Sequence, residues 1–547
     1  MLRNIEFRDL FNRFGFIIIG LAISAVVFFI APRPLNIVVT IVLVVSSLGV
    51  QLVYYIIKTK LILVDMDLVY TLLHARLIAS GKPPVGDIFK SVAANKDVYK
   101  GYAEIARRIY LLGKEWGYSF PQAIKIVADG LKDKVTKNIL YRLGGVLSVG
   151  EDVEQFLDRE YNTLLAEYRS IYTRTMDNAK VLLGLYVTMI GSLMFLAATF
   201  MILSMFFGSS AGILKAAYIG IELALIVQAV LVYLSVKPEL FEYEASTNRL
   251  RRLMKLAGYG AIIGSLALGF LLTLKGLTGY KLITTILLLL GVTTIPIGLT
   301  GKLGEGRIKE TDEFYPVFIR SYGMHLATIP NMIKSLEPLL ASNLGPLIKP
   351  LKRLYARLKN SVLPRHAWSL FAEDTGSELV HRGTVMFLDT VEYGGDPGLA
   401  GNLISDHHNE INRLRKVRYE ISNTFSSTLL IMHSTAISIL IVMAELMRLF
   451  SNVVNQLSTQ VPPQFVSLFP FAAVNMDILT LLNSVIIVTL TIANSAVLYR
   501  VVPGSKLSFF YYLGVYSLVS AITVYASAVV INMVFSKVIV PTGILPV

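Results

Sequence analysis

Apolar residues along this chain gather into long uninterrupted blocks. Nine stand out, at 15–31, 36–57, 181–207, 213–235, 257–274, 282–299, 425–447, 476–499 and 508–534. A helix of about 20 apolar residues crosses the hydrocarbon core of a bilayer, so each block predicts a transmembrane helix. Four charges fall inside them, Lys215, Glu222, Glu445 and Asp477. Only Glu222 sits near mid-span, and His433 is the other ionisable side chain near a span centre. Between the blocks lie two polar segments, 58–180 and 300–424, of 123 and 125 residues. Their apolar residues recur at three- and four-residue steps, the pattern of amphipathic helices. The expectation is an all-α polytopic membrane protein with two cytoplasmic helical bundles in a pseudo-repeat. Its parts are a transmembrane hairpin (1–57), a first bundle (58–180), four transmembrane helices (181–299), a second bundle (300–424) and three transmembrane helices (425–547).

Breaks divide the first bundle. Val69, Leu72, Leu73 and Leu77 line one helix face, which Gly81-Lys82-Pro83-Pro84 ends. Gly117-Tyr118-Ser119-Phe120-Pro121 is a second break, where Ser119 can cap the next helix and Pro121 fits its first turn. Ser148-Val149-Gly150 is a third. From Glu151 a stripe of Val153, Leu157, Tyr161, Leu164, Tyr168 and Ile171 runs without Gly or Pro until Gly184, so one helix should pass from the bundle into the membrane. In the second bundle Gly394-Gly395-Asp396-Pro397 precedes a looser stripe of Leu399, Leu403, Ile411, Leu414 and Ile421. Four landmarks repeat at nearly one offset: span starts 15 and 257, bundle starts 58 and 300, breaks Gly150 and Gly395, and span starts 181 and 425. The repeat is one of architecture, since residue identity between the halves is poor.

Hydrophobic residues make up 54% and charged residues 16%, against about 25% charged in ordinary soluble domains. No cysteine is present, which removes disulfides, thiolate metal sites and cysteine nucleophiles. The net charge of +14 could suggest nucleic acid, but its distribution argues otherwise. With the N-terminus inside, 45 of 51 Lys and Arg fall on the cytoplasmic side, as membrane orientation demands. The two bundles are close to balanced, with 15 acidic to 19 basic residues and 14 to 16. The expectation is a multi-pass protein of the cell membrane with both bundles cytoplasmic, the C-terminus outside and no nucleic-acid partner.

Catalytic signatures are missing. No Gly-x-x-x-x-Gly-Lys-Ser/Thr occurs, so there is no P-loop, and no His-Glu-x-x-His. His407-His408-Asn409-Glu410 reads as a solvated helix face, because adjacent histidines point about 100° apart. Gly208-Ser209-Ser210-Ala211-Gly212 spells a nucleophile elbow but sits between two membrane helices, where it reads as a turn of small residues. No catalytic, cofactor or metal site is expected. Glu222 and His433 could form an ion or proton site in a transporter; the plainer reading is hydrogen bonding between helices.

Ser80-Gly81-Lys82-Pro83-Pro84, Gly117-Tyr118-Ser119-Phe120-Pro121-Gln122-Ala123 and Gly150-Glu151-Asp152-Val153 look like the Gly-x-Pro, Gly-x-Ser-x-x-x-Ala and Gly-Glu-x-x-x-Leu positions of the type II secretion F family, with Gln155 where the last of these has an aliphatic residue. Two bundles and nine spans resemble that family's archaeal branch, the archaellum J-type assembly proteins and their pilus paralogues. The resemblance implies a membrane platform for a type IV pilus-like filament, without catalysis of its own. It also implies a hexameric cytoplasmic ATPase docked on the bundles, pilin or archaellin subunits drawn from the bilayer, and a homodimer. Candidate contacts for acidic patches on that ATPase are the clusters Arg107-Arg108, Lys132/Lys134/Lys137 and Lys352-Arg353/Arg357/Lys359.

Overall fold

In the computed structural model, residues 65–206, 211–239, 241–243, 249–460 and 475–536 are described. Helices account for almost all of them; the only β-type pairing among these residues is an isolated bridge between Glu242 and Ser377. The first polar segment forms α1 (Met66–Ala79), α2 (Val85–Ala94), the short α3 (Lys96–Tyr99), α4 (Gly101–Lys114), α5 (Phe120–Asp129) and α6 (Lys134–Val149). Then come α7 (Val153–Phe206), α8 (Ala211–Ser235), α9 (Arg249–Leu274) and α10 (Gly279–Thr328). The second polar segment adds α11 (Glu337–Leu340), α12 (Ile348–Lys359), α13 (Pro364–Thr375) and α14 (Glu378–Glu392). The chain ends with α15 (Pro397–Gln460), α16 (Met476–Val501) and α17 (Ser508–Ser536). Seven of the described helices are long and apolar enough to cross a membrane: α7, α8, α9, α10, α15, α16 and α17. The expected spans 15–31 and 36–57, and most of the Gly208–Gly212 motif, lie outside the described residues.

Local chemistry places the boundaries. Asp133 caps α6 by accepting from the amides of Val135 and Thr136, and Asp152 accepts from Glu154 at 2.8 Å to start α7. Ser119 precedes α5 in extended geometry but makes no side-chain cap, so its contribution is backbone shape and a carbonyl that accepts from Ala123. Gly150 adopts φ +75°, the left-handed turn that ends α6. Its counterpart in the second repeat is Gly394 (φ +80°) rather than Gly395. That choice sharpens the repeat: α5, α6 and α7 start 244 residues before α13, α14 and α15, and left-handed Gly117 matches left-handed Ser361 at the same spacing. Gly81 is explained by packing across the repeats. A Cβ there would come within 2.6 Å of the Tyr393 carbonyl and 2.8 Å of the Gly395 amide.

Three helices join polar and apolar parts without interruption. At about 1.5 Å per residue, the 54 residues of α7 and 64 of α15 extend some 80 and 95 Å. α10 does the same in the opposite direction, carrying Pro296 and Pro316 within its length. One continuous core fills both polar segments. It is largely aliphatic in the first (Leu73, Ile78, Ile109, Ile124), with buried Tyr70 and Tyr99 among them, and richer in aromatics in the second, where Trp368 meets Tyr322, Phe371 and Phe387. A separate core fills the apolar helices. There α10 and α17 approach closely because glycines of α10 leave room for residues of α17: a side chain at Gly298 would strike the Tyr511 backbone, and one at Gly291 would meet Leu518.

Candidate functional site

The two repeats meet through buried charge. Asp389 of α14 is 1% exposed and inserts into a socket of donors: Asn95 Nδ2 at 2.7 Å, Ser91 Oγ at 2.8 Å and His74 Nε2 at 3.2 Å from the first repeat, and Arg365 at 2.6 Å from its own. Burial alone would raise this carboxyl, but His74, Ser91 and Arg365 bring it down to about 2. One helical stretch away, Arg382 pairs with Asp67 at 2.7 Å and with Glu378 at 2.8 Å, its guanidinium lying over the Tyr70 ring. Burial would raise Asp67, yet Arg382 and Lys100 hold it below the usual carboxylate range. Charges so enclosed are tolerated only when paired, so the seam fixes one relative placement of the repeats.

His407 and His408 belong to this seam, which corrects the solvated-face reading. Both are buried: α7 covers His407, whose Nδ1 lies 3.0 Å from the Tyr161 hydroxyl, and Tyr70 and Tyr315 flank His408. Burial, reinforced by Arg382, lowers His407 to about 3. His408 is pushed well below the usual histidine value by burial and by His407. Among the described residues no group of three His, Asp or Glu side chains is arranged to hold a metal.

A second charged cluster joins the repeats to the membrane helices. Glu239, in the loop after α8, accepts from Arg415 at 2.8 Å, from Tyr172 of α7 at 2.9 Å and from Arg418 at 3.4 Å. Arg418 also donates to the carbonyls of Val501, Lys237 and Arg500, and Arg500 donates to those of Tyr233 and Val236. Helix-terminal carbonyls that lack partners are thereby satisfied. Arg415 reaches Asp312 of α10 at 3.0 Å, and the Ser377 hydroxyl donates to the same carboxylate. Burial pushes Asp312 up to about 6 against the pull of Arg415. Burial would raise Glu239 as well, but Arg415 and Arg418 hold it low. The loop is pinned to the second repeat by Tyr243 N to Gly376 O (2.8 Å) and Glu378 N to Phe241 O (3.0 Å). The joint therefore touches α7, α8, α10, α14, α15 and α16, so the second repeat is tied to several membrane helices at once.

Within the apolar helices, polar side chains pair with one another. Tyr186 donates to Asn494 Oδ1 at 2.7 Å, leaving the Asn494 amide nitrogen 3.0 Å from His433 Nδ1. His433 Nδ1 is then an acceptor, so Nε2 carries the proton and donates to Ser520 at 2.8 Å. The set ties α7, α15, α16 and α17 together. Glu222 accepts from the Thr489 hydroxyl of α16 and has no ionisable partner among the described contacts.

The basic clusters are scattered. Arg107 and Arg108 share Glu104 at 3.0 and 3.6 Å, and Arg353 and Arg357 share Asp374 at 3.0 and 2.8 Å. Lys132 and Lys134 are exposed, and Lys137 reaches the Asp129 carbonyl. Lys352 and Lys359 are exposed, Lys359 lying over Tyr355. The structure does not bring the three clusters into one patch. The sequence reading missed the seam and the joint, whose carboxylates and arginines come from segments far apart in the chain; the paired acidic and basic residues inside amphipathic helices were the only hint.

Comparison with known proteins bears on about three-fifths of the chain. Flagella accessory protein J of Methanocaldococcus jannaschii is 29% identical over 345 residues, 61% of this chain and 61% of that protein. Flagella accessory protein J of Methanococcus voltae is 24% identical over 360 residues, 62% of this chain and 63% of that one. An uncharacterized M. jannaschii protein is 22% identical over 344 residues, 57% of each. The chain thus spans about three-fifths of the length of the curated relatives it matches. No protein-family model matches it, and no solved structure does. The resemblance read from its motifs is met at this level: the chain is similar to the J-type accessory proteins of the archaeal flagellum, the archaellum.

Proposed function

We propose that the chain is a platform for assembling an archaellum or a related type IV pilus-like filament in the cell membrane. The observation that carries this reading is the similarity to flagella accessory protein J from two archaea. The fold is suited to it in three ways. Long helices run unbroken from polar to apolar regions, a joint of buried ion pairs links α14 of the second repeat to α7, α8, α10, α15 and α16, and the sequence contains no nucleotide-binding motif. In this reading both polar repeats and the N-terminus face the cytoplasm and the C-terminus lies outside. A hexameric secretion-type ATPase supplies the work by docking on the repeats, pilin or archaellin subunits are taken from the surrounding bilayer, and the platform acts as a homodimer without chemistry of its own.

Deleting the gene in its source organism should abolish surface filaments seen by electron microscopy, and re-expression should restore them. Re-expression of Glu222→Gln should restore them equally, because the amide oxygen still accepts from Thr489. Filaments persisting in the deletion strain would refute the platform reading. Proton or ion flux through the purified protein, lost in Glu222→Gln, would replace it with transport.

A further inference from the structure

Two turns at the end of the repeats farthest from the membrane helices match each other. α7 starts at that end, Gly150 immediately precedes it, and the Pro121 carbonyl at the start of α5 packs beside Gly144 near the end of α6. The turn 115–119 between α4 and α5 is therefore distal. In the second repeat, Gly376 between α13 and α14 hydrogen-bonds to Tyr243 of the membrane-side loop, so the opposite end of α13, with turn 360–363, is distal too. Lys132, Lys134 and Lys137 flank the turn equivalent to Gly376, and so sit at the near end.

Each distal turn holds a large apolar residue out to solvent. Trp116 is 71% exposed and Leu363 is 76% exposed, while the chain's other tryptophan, Trp368, is fully buried. The first turn is rigid. Its amides at Trp116 and Tyr118 donate to the Leu111 and Leu112 carbonyls, and Gly117 takes φ +72°. Phe120 stacks on Phe89 in a slot that a side chain at Gly86 or Gly113 would fill. The second turn repeats the design, with Val362 N donating to Arg357 O and Ser361 held at φ +60°. The helices leading in are in step as well: Leu351 and Leu354 face the core as Ala106 and Ile109 do, which places Lys352-Arg353 where the first repeat has Arg107-Arg108. Each arginine pair shares a single carboxylate, Glu104 or Asp374, and so keeps net positive charge, and Lys114, Lys352 and Lys359 have no carboxylate partner among the described residues.

We propose that the two distal turns are paired docking knobs for a protein partner built of repeating subunits, with Trp116 and Leu363 each entering an apolar pocket rimmed by carboxylates. The two knobs stand in equivalent turns, although Leu363 aligns with Ser119 and Trp116 with Asn360, and two such sites on one chain call for pockets on more than one subunit, which an oligomeric ring offers. A preorganised, exposed tryptophan beside free lysines has the composition of an interface hot spot with a complementary acidic rim. The proposal rests on the platform reading and gives the contact through which its ATPase would act.

The experiment uses the full-length protein in nanodiscs and the purified secretion-type ATPase of the same organism, with affinity read by biolayer interferometry. Trp116→Ala and Leu363→Ala should each weaken binding roughly tenfold or more, and together by more than either alone. Ile126→Ala, exposed on the outer face of α5, should bind as wild type. Both knob side chains are exposed, so melting temperatures should not change. Wild-type binding left intact by the double variant would overturn the knobs while leaving an ATPase-driven platform standing. No binding by wild type would overturn the ATPase partner itself. A change in mass by light scattering in the knob variants, with ATPase affinity unaltered, would reassign the turns to self-association and sink the proposal.

Discussion

Asp389 ties the repeats together through four donors drawn from α1, α2, the end of α2 and α13. Asp389→Ala would leave His74, Ser91 and Asn95 without their acceptor in a buried space, at a cost of about 1–3 kcal/mol, while Arg365 is half exposed and keeps Glu392. The charge also makes the seam sensitive to acid. The carboxyl titrates near 3.9 when unfolded and at about 2 in the fold, so its contribution is complete above about pH 4 and is lost as pH falls through 2. Thermal unfolding of the detergent-solubilised protein between pH 5 and pH 2.5 should show a steeper fall for wild type than for Asp389→Asn. Parallel slopes would contradict the depressed carboxyl. None of this was legible in the sequence, because Asp389 lies nearly 300 residues from Ser91 and Asn95 and its helix offers other acids of the same appearance. His407 and His408 were misjudged for a related reason. The stripe Leu399–Ile421 marks one buried face of α15, but this helix is packed by α7 and α10 from different sides, so positions off the stripe are buried too.

At the scale of helices, the sequence was more informative. Gly and Pro breaks located the ends of α1, α4 and α6, and the uninterrupted stripe from Val153 foretold that α7 crosses from polar to apolar surroundings. The repeat was visible as an offset of landmarks, but its true register needed backbone angles, which pick Gly394 over Gly395 and reveal Ser361 as the partner of Gly117. Poor identity between the repeats has a physical basis here: His74 of the socket corresponds to Phe318, which sits in the aromatic core instead. Gly81 offers a direct test of how the helix ends meet. In Gly81→Ala the added methyl would collide with backbone atoms of Tyr393 and Gly395, costing about 1–3 kcal/mol. Gly101→Ala, where a Cβ meets nothing within 4 Å, should leave the unfolding midpoint of the solubilised protein within a degree or two or raise it slightly. Equal effects at both sites would mean that the ends of α1 and α14 do not touch as described.

Across the whole molecule, the account requires the polar repeats to share one side of the membrane, the side where an energy-supplying partner is found. The asymmetry of basic residues argues for the cytoplasm, with 45 of 51 on that face. The chain lacks cysteine, so single cysteines can be introduced without background. Ser148 and Lys352 are exposed on the first and second repeats, and Lys275 is exposed in the turn between α9 and α10 at the opposite end of the spans. The decisive measurement is labelling of Ser148→Cys, Lys352→Cys and Lys275→Cys with a membrane-impermeant thiol reagent in intact and permeabilised cells. Ser148→Cys and Lys352→Cys should react only after permeabilisation, and Lys275→Cys in intact cells. Labelling of either repeat in intact cells would contradict a platform driven from the cytoplasm.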